Sequence, residues 1–102
     1  MSTSDDFQAV SMRLHDAAMD VFMEKNQDYA KVDDVLAAFR RQAESTGLSM
    51  RQVWSVHFTK QVEAVLTWSK NGELAGESLD SRLADVRNYL SFAKLIDQEE
   101  NA

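Results

Sequence analysis

The chain has 102 residues, of which 44% are hydrophobic and 27% charged, a composition typical of one globular domain with a modest core. Its 11 basic and 17 acidic residues give a net charge of −6, the wrong sign for a protein that grips duplex nucleic acid through its phosphates. The absence of cysteine excludes disulfides, thiolate nucleophiles and cysteine-based zinc sites.

The spacing of apolar residues predicts an all-α fold, because it repeats at three and four positions in a chain with no proline and only three glycines. A first helix is expected over residues 5–25, with Ser4 as its N-cap. Its main apolar stripe consists of Phe7, Val10, Leu14, Ala18 and Val21. A narrower stripe fits additional packing or a subunit contact and consists of Met12, Met19 and Met23.

Two more helices follow in the middle of the chain. The second is expected over residues 34–44, capped by Asp33. The third is expected over residues 50–70, where Ser49 and Gln52 have the spacing of a capping box. Apolar residues surround the third helix on most sides, so we expect it at the centre of the bundle.

The fourth helix is expected over residues 77–98. Its main apolar stripe consists of Leu79, Leu83, Val86, Leu90 and Ala93. Short connections between the helices favour antiparallel neighbours. The sequence therefore predicts a single domain, residues 1–102, folded as a compact all-α bundle of about four helices.

A cluster of polar and aromatic residues follows the first apolar stripe and forms the first candidate binding site. Its members are Lys25, Asn26, Asp28 and Tyr29. The stem of Lys25 can be buried while its ammonium turns toward a site. The loop that follows can turn a carboxylate and a ring into a groove, where Tyr29 either stacks on a base or closes the core.

Lys60 interrupts the apolar pattern of the third helix. At 100° per residue it falls between Val53 and Val56, where an isolated ammonium would be costly to bury. Two interpretations remain open: the side chain reaches the surface or pairs with a carboxylate, or it binds a phosphate group.

Polar residues line one edge of the fourth helix at spacings of four, four and three, namely Glu77, Ser81, Asp85 and Asn88. This edge fits a hydrated magnesium ion held by Glu77 and Asp85, since magnesium takes one or two carboxylates and completes its shell with water and phosphate oxygens. A solvated acidic edge paired with Arg82 is the alternative. His15 and His57 lack ligand spacing, so a histidine metal centre is not expected.

The order of these motifs resembles a known family. The segments that carry the resemblance are Lys25-Asn26-x-Asp28-Tyr29, Phe39, Lys60, Glu77-Ser78-x-Asp80 and Asp85-x-x-Asn88-Tyr89. Together they resemble the small phage and bacterial domain called nucleotide modification associated domain 1, over about residues 20 to 96. The resemblance implies an all-helical domain linked to nucleotide or phage DNA modification.

A more distant resemblance is to all-α nucleoside-triphosphate pyrophosphatases, in which helical carboxylates bind magnesium and water attacks a phosphoanhydride. It implies that Asp85 and Glu77 would be metal ligands. It also implies that Lys25 and Lys60 contact phosphate and that Asn88 or Tyr29 contacts the nucleoside. The paired Glu-x-x-Glu expected on an earlier helix is missing here, since Asp20 and Glu24 are four residues apart.

We therefore expect a small phage-type nucleotide-binding protein associated with nucleotide or DNA modification, with catalysis left open. The alternatives are a magnesium-dependent nucleoside-triphosphate pyrophosphohydrolase and an acidic phage-encoded inhibitor or assembly component. A homo-oligomer is also expected, because a second subunit would close a shallow pocket. No signal peptide and no apolar run of about 18 residues is visible, so we expect a cytoplasmic protein without a membrane contact.

Overall fold

The computed structural model describes residues 1–27, 34–74 and 76–102, with side chains described outside 25–27, and these residues contain four helices and no strand. The helices are α1 (Ser4–Gln27), α2 (Ala37–Thr46), α3 (Met50–Asn71) and α4 (Leu79–Glu100). They pack as a bundle, which confirms the all-α prediction. None of the described helices is both long and apolar enough to span a bilayer.

Three helices begin at side chains that accept a hydrogen bond from the first turn. Thr3, rather than the predicted Ser4, accepts from the backbone N–H of Asp6. Ser49 forms the predicted capping box with Gln52 at the start of α3. Ser78 accepts from the N–H of Ser81, so α4 begins two residues after the predicted start. Each cap satisfies an N–H group that has no partner inside its own helix.

α2 is short and begins three residues later than predicted. Asp34 makes a turn before the helix, because its carboxylate accepts from the N–H of Leu36 and its carbonyl accepts from the N–H of Ala37. The predicted cap, Asp33, lies outside the described residues. Gly47 ends α2 in the left-handed conformation, with a φ of 73°.

α3 and α4 are the two inner helices of the bundle, so the central position expected of α3 is shared with α4. α1 and α3 both pack against α4, and α2 packs against α3. With ten residues, α2 is about 15 Å long, whereas α3 is about 33 Å long, so α2 covers only half of its neighbour. Beyond α2, apolar side chains of α3 such as Leu66 remain exposed.

Few side chains in the described part are buried: Ala18, Leu36, Phe39, Val53, Ala84 and Ile96. The apolar stripe of α1 is buried at Ala18 but 75% exposed at Phe7. α1 runs parallel to α4, since Ala18 contacts Asn88 and Phe22 contacts Phe92. This register places Phe7 level with the residues that precede α4, where no helix turn is available to cover it.

Candidate functional site

A cleft of about 280 Å³ lies between α1, α2 and α4 in the described part of the chain, and one side chain of α3 reaches it. We call it the aromatic cleft. Its rings are Phe22, Phe39, His57, Tyr89 and Phe92, and its polar groups are Asp34, Arg41, Gln42, Asp85 and Asn88. Each of the four helices therefore contributes at least one side chain to the aromatic cleft.

Phe39 organises the rings of the cleft. It is buried on α2 and meets Phe92 at a centroid distance of 5.5 Å and Tyr89 at 6.3 Å, both close to edge-to-face. His57 approaches the same ring from α3 at 6.1 Å. Aromatic pairs at these distances favour tilted arrangements, which hold the rings in fixed orientations. The wall of the cleft is therefore apolar and consists of rings in mutual contact.

His57 and Gln42 form a polar pair beside this wall. The Nε2 atom of His57 lies 2.6 Å from the Oε1 atom of Gln42, and an amide oxygen accepts, so the imidazole N–H donates. The ring of His57 also lies nearly parallel to that of Tyr89, at 22°. His57, Gln42 and Arg41 were not predicted as site residues. A signal did exist for Gln42, because it follows Phe39 by three residues on one helix face.

Tyr89 and Asp85 are neighbours in the cleft. Burial raises the pKa of the Tyr89 hydroxyl, and the negative charge of Asp85 raises it further. The backbone of Tyr89 is also tied to α3, because the indole N–H of Trp54 donates to its carbonyl at 2.7 Å. Tyr89 therefore stays neutral at ordinary pH and sits on a firmly positioned turn of α4.

Asn88 joins α1 to α4. Its side-chain amide donates to the carbonyl oxygen of Ala18 at 2.9 Å, and the residue also lines the cleft. Asp85 and Asn88, both predicted site residues, are therefore brought to the same opening. Their spacing of three along one helix is the reason that the sequence could place them together.

Arg40 holds the segment before α2 against the end of α4. Its guanidinium contacts the carboxylate of Asp34 at 2.5 Å and that of Glu99 at 2.5 Å. The hydrogen bond from Arg40 lowers the pKa of Asp34. Since Asp34 lines the cleft, this arginine fixes one edge of the opening.

Glu77 is placed apart from the aromatic cleft. It pairs with Arg82, which also donates to the side chain of Gln61 at 3.0 Å. It does not line the cleft that contains Asp85. Within residues 1–27, 34–74 and 76–102, no group of three or more histidine, aspartate or glutamate side chains is arranged to hold a metal ion.

Lys60 is exposed on α3 and is not among the residues that line the cleft. α2 contacts α3 as far as His57, through Phe39 and Gln42. On the next turn Gln61 is half-buried against Arg82 of α4, whereas Lys60 lies on the exposed side. The ammonium therefore needs no buried partner. Lys25 and Asn26 lie in the last turn of α1, but their side chains, like all of Asp28 and Tyr29, lie outside the described residues.

Comparison of the chain with family models, with curated proteins and with solved structures gave no match. The resemblance of its motifs to nucleotide modification associated domain 1 therefore stays a prediction. A functional assignment has to come from the chemistry of the aromatic cleft.

Proposed function

We propose that the aromatic cleft binds a nucleotide or a nucleotide-like small molecule, and that the protein serves nucleotide or DNA modification. The observation that supports this proposal is the combination of aromatic rings with amide, carboxylate and guanidinium groups around one opening. Ligand pockets are mostly apolar and carry a few polar groups that orient the ligand. A nucleobase needs both, because its faces stack on rings and its edges form hydrogen bonds.

The size of the cleft limits the ligand. Pockets for small molecules usually measure about 300–1,000 Å³, and this cleft, with about 280 Å³, lies just below that range. It fits the nucleoside part of one nucleotide better than a dinucleotide. The phosphates would then extend toward the rim.

The charged side chains of the cleft determine whether it can accept those phosphates. Asp34 and Asp85 contribute negative charge, and Arg41 contributes one positive charge. Arg41 is the cationic group that we propose for the phosphate end of the ligand. A magnesium ion at Asp85 would offset the remaining repulsion, as carboxylates and phosphate oxygens are its preferred ligands. Lys25 and Tyr29 remain proposed contacts from the sequence.

Thermal unfolding with a panel of nucleosides and nucleotides, with and without magnesium, tests the proposal. A ligand at 100 times its Kd stabilises the folded chain by about 2.7 kcal/mol. We expect a rise in Tm for at least one nucleotide, and a smaller rise in Arg41→Gln and Asp85→Asn. Arg51→Gln is the matched control, because Arg51 is an exposed arginine outside the cleft.

Analysis of the recovered ligand separates binding from catalysis. Unchanged nucleotide in the complex supports a binding protein. Magnesium-dependent release of pyrophosphate that Asp85→Asn abolishes would instead support the pyrophosphohydrolase. A panel that leaves the Tm unchanged in every condition would count against a nucleotide ligand altogether.

A further inference from the structure

Two side-chain amides line the aromatic cleft from different walls, Gln42 on α2 and Asn88 on α4. Gln42 is exposed and Asn88 is half-buried, so a ligand can reach both. The two ends of a side-chain amide differ chemically, because its oxygen accepts hydrogen bonds whereas its NH2 group donates them. The end that faces the ligand therefore decides which ligand atoms the amide can recognise.

The oxygen of Gln42 is engaged within the protein. It lies 2.6 Å from the Nε2 atom of His57, which donates to it. The imidazolium form also carries a proton on Nε2, so charging the ring preserves this contact. The ring of His57 lies against Phe39 and Tyr89, at centroid distances of 6.1 Å and 6.4 Å. The NH2 group of Gln42 is therefore the end that is left to meet a ligand.

Asn88 is oriented the opposite way. Its Nδ2 atom donates to the carbonyl oxygen of Ala18 at 2.9 Å, across the contact between α1 and α4. Its Oδ1 atom therefore remains as an acceptor on the α4 wall. Two separate contacts thus fix the two amides, so that α2 offers a donor to the ligand and α4 offers an acceptor.

The complementary ligand has an acceptor for Gln42 and a donor for Asn88. Adenine and cytosine carry this combination on one edge, because an exocyclic amino group lies beside an unprotonated ring nitrogen. Their deaminated counterparts, hypoxanthine and uracil, carry the reverse, a carbonyl oxygen beside a ring N–H. A carbonyl oxygen placed against Oδ1 of Asn88 would leave two acceptors without a donor, which is costly away from water. Turning the base over would exchange the two groups, but it would also redirect the sugar and the phosphate.

We propose that the aromatic cleft prefers the amino-bearing bases adenine and cytosine over hypoxanthine and uracil, through the NH2 group of Gln42 and the Oδ1 atom of Asn88. His57 is a positioning residue, because it acts on the ligand through the amide that it orients. This preference rests on the proposed nucleotide site and names the class of ligand that the site takes. It depends as much on rejecting the wrong base as on binding the right one.

Calorimetric titration of the full chain with four nucleoside monophosphates, with magnesium present, tests the preference. The ligands form two pairs, AMP with IMP and CMP with UMP, and the members of each pair differ by one exchange of amino for oxo. In each pair that binds, we expect the amino member to bind about tenfold more tightly. The ratio of the two Kd values is the readout, because a general loss of affinity or stability affects both members alike.

Two variants test the residues that set the ratio. Gln42→Glu keeps an oxygen for the N–H of His57 but replaces the donor with an acceptor, so the ratio should fall to about one or below. His57→Phe keeps a ring against Phe39 and Tyr89 but lacks the N–H, so the amide can turn and the ratio should also fall. Gln8→Glu is the matched control, since it adds the same charge at an exposed position outside the cleft and should leave the ratio unchanged.

Four results would overturn the preference. Equal binding within both pairs would remove it while nucleotide binding stands. Tighter binding of IMP or UMP would show that Gln42 presents its oxygen instead. A ratio that survives in Gln42→Glu, or that Gln8→Glu also abolishes, would place recognition elsewhere. If none of the four nucleotides binds, the preference falls together with the proposed function. Circular dichroism checks the fold of each variant, and Gln42→Glu decides alone if His57→Phe does not fold.

Discussion

At the residue scale, Tyr89 reports on the electrostatics of the cleft. Its pKa is raised above 10.0 first by burial and second by Asp85. We therefore expect Asp85→Asn to lower the pKa of Tyr89 part of the way toward 10.0, since the charge is removed and burial remains. Absorbance at alkaline pH in a Tyr29→Phe background isolates this hydroxyl, because the chain has only two tyrosines.

The same shift has a consequence for stability. A raised pKa means that the folded chain holds the Tyr89 proton more tightly than the unfolded chain does. The resulting stabilisation is complete below pH 10 and is lost as the pH rises through the folded-state pKa. Tyr89→Phe should remove this alkaline component of the pH profile of the Tm. An alkaline profile that is identical in Tyr89→Phe would contradict the coupling.

The sequence identified only part of the candidate site, for a reason visible in individual residues. Asp85 and Asn88 are neighbours on one helix, so their spacing alone places them together. His57 and Gln42 reach them only because Phe39 packs against Tyr89 and Phe92. Such contacts depend on how helices cross, which no spacing within one helix encodes.

At the scale of elements, the start of α3 depends on the capping box of Ser49. Ser49→Ala removes the acceptor for the N–H of Gln52, and we expect it to lower the free energy of unfolding by about 1 kcal/mol. Ser55→Ala is the control, because the exposed hydroxyl of Ser55 only donates to a carbonyl of its own helix. Urea denaturation measures the free energy of unfolding of both variants. Equal losses would show that the capping hydroxyl stabilises the fold no more than the hydroxyl of Ser55 does.

Helix type was predictable throughout the described chain, whereas helix ends and neighbours were less so. Ser49 and Ser78 mark helix starts, because a hydroxyl before a helix satisfies its first N–H groups. The start of α2 was missed, because Asp34 uses its carboxylate in a preceding turn and in the pair with Arg40. That α4 shares the inner position with α3 was missed as well, because it depends on how the helices pack and not on the pattern within either helix.

At the scale of the whole molecule, the buried core is small, so each core residue contributes a large share of the free energy of unfolding. Ile96 is 1% exposed, so Ile96→Ala should cost about 2–5 kcal/mol through lost burial and the cavity left behind. That is a large share of the roughly 5–15 kcal/mol by which domains are stable. Leu95→Ala is the control, since the adjacent Leu95 is partly exposed. Chemical denaturation should show a much smaller loss of unfolding free energy for Leu95→Ala than for Ile96→Ala. Similar losses at both positions would mean that Ile96 is not a core residue in solution.

The packing of α1 against α4 also sets the order in which the chain can fold. α1 pairs with a helix about 70 residues away, at a considerable cost in loop closure. During synthesis, α2 and α3 can associate as soon as they emerge, whereas α1 has to wait for the last of the four helices. A ribosome-bound chain that ends before Leu79 would therefore leave the stripe of α1 open to solvent and to chaperones. Of the four described helices, the one made last completes the packing of α1.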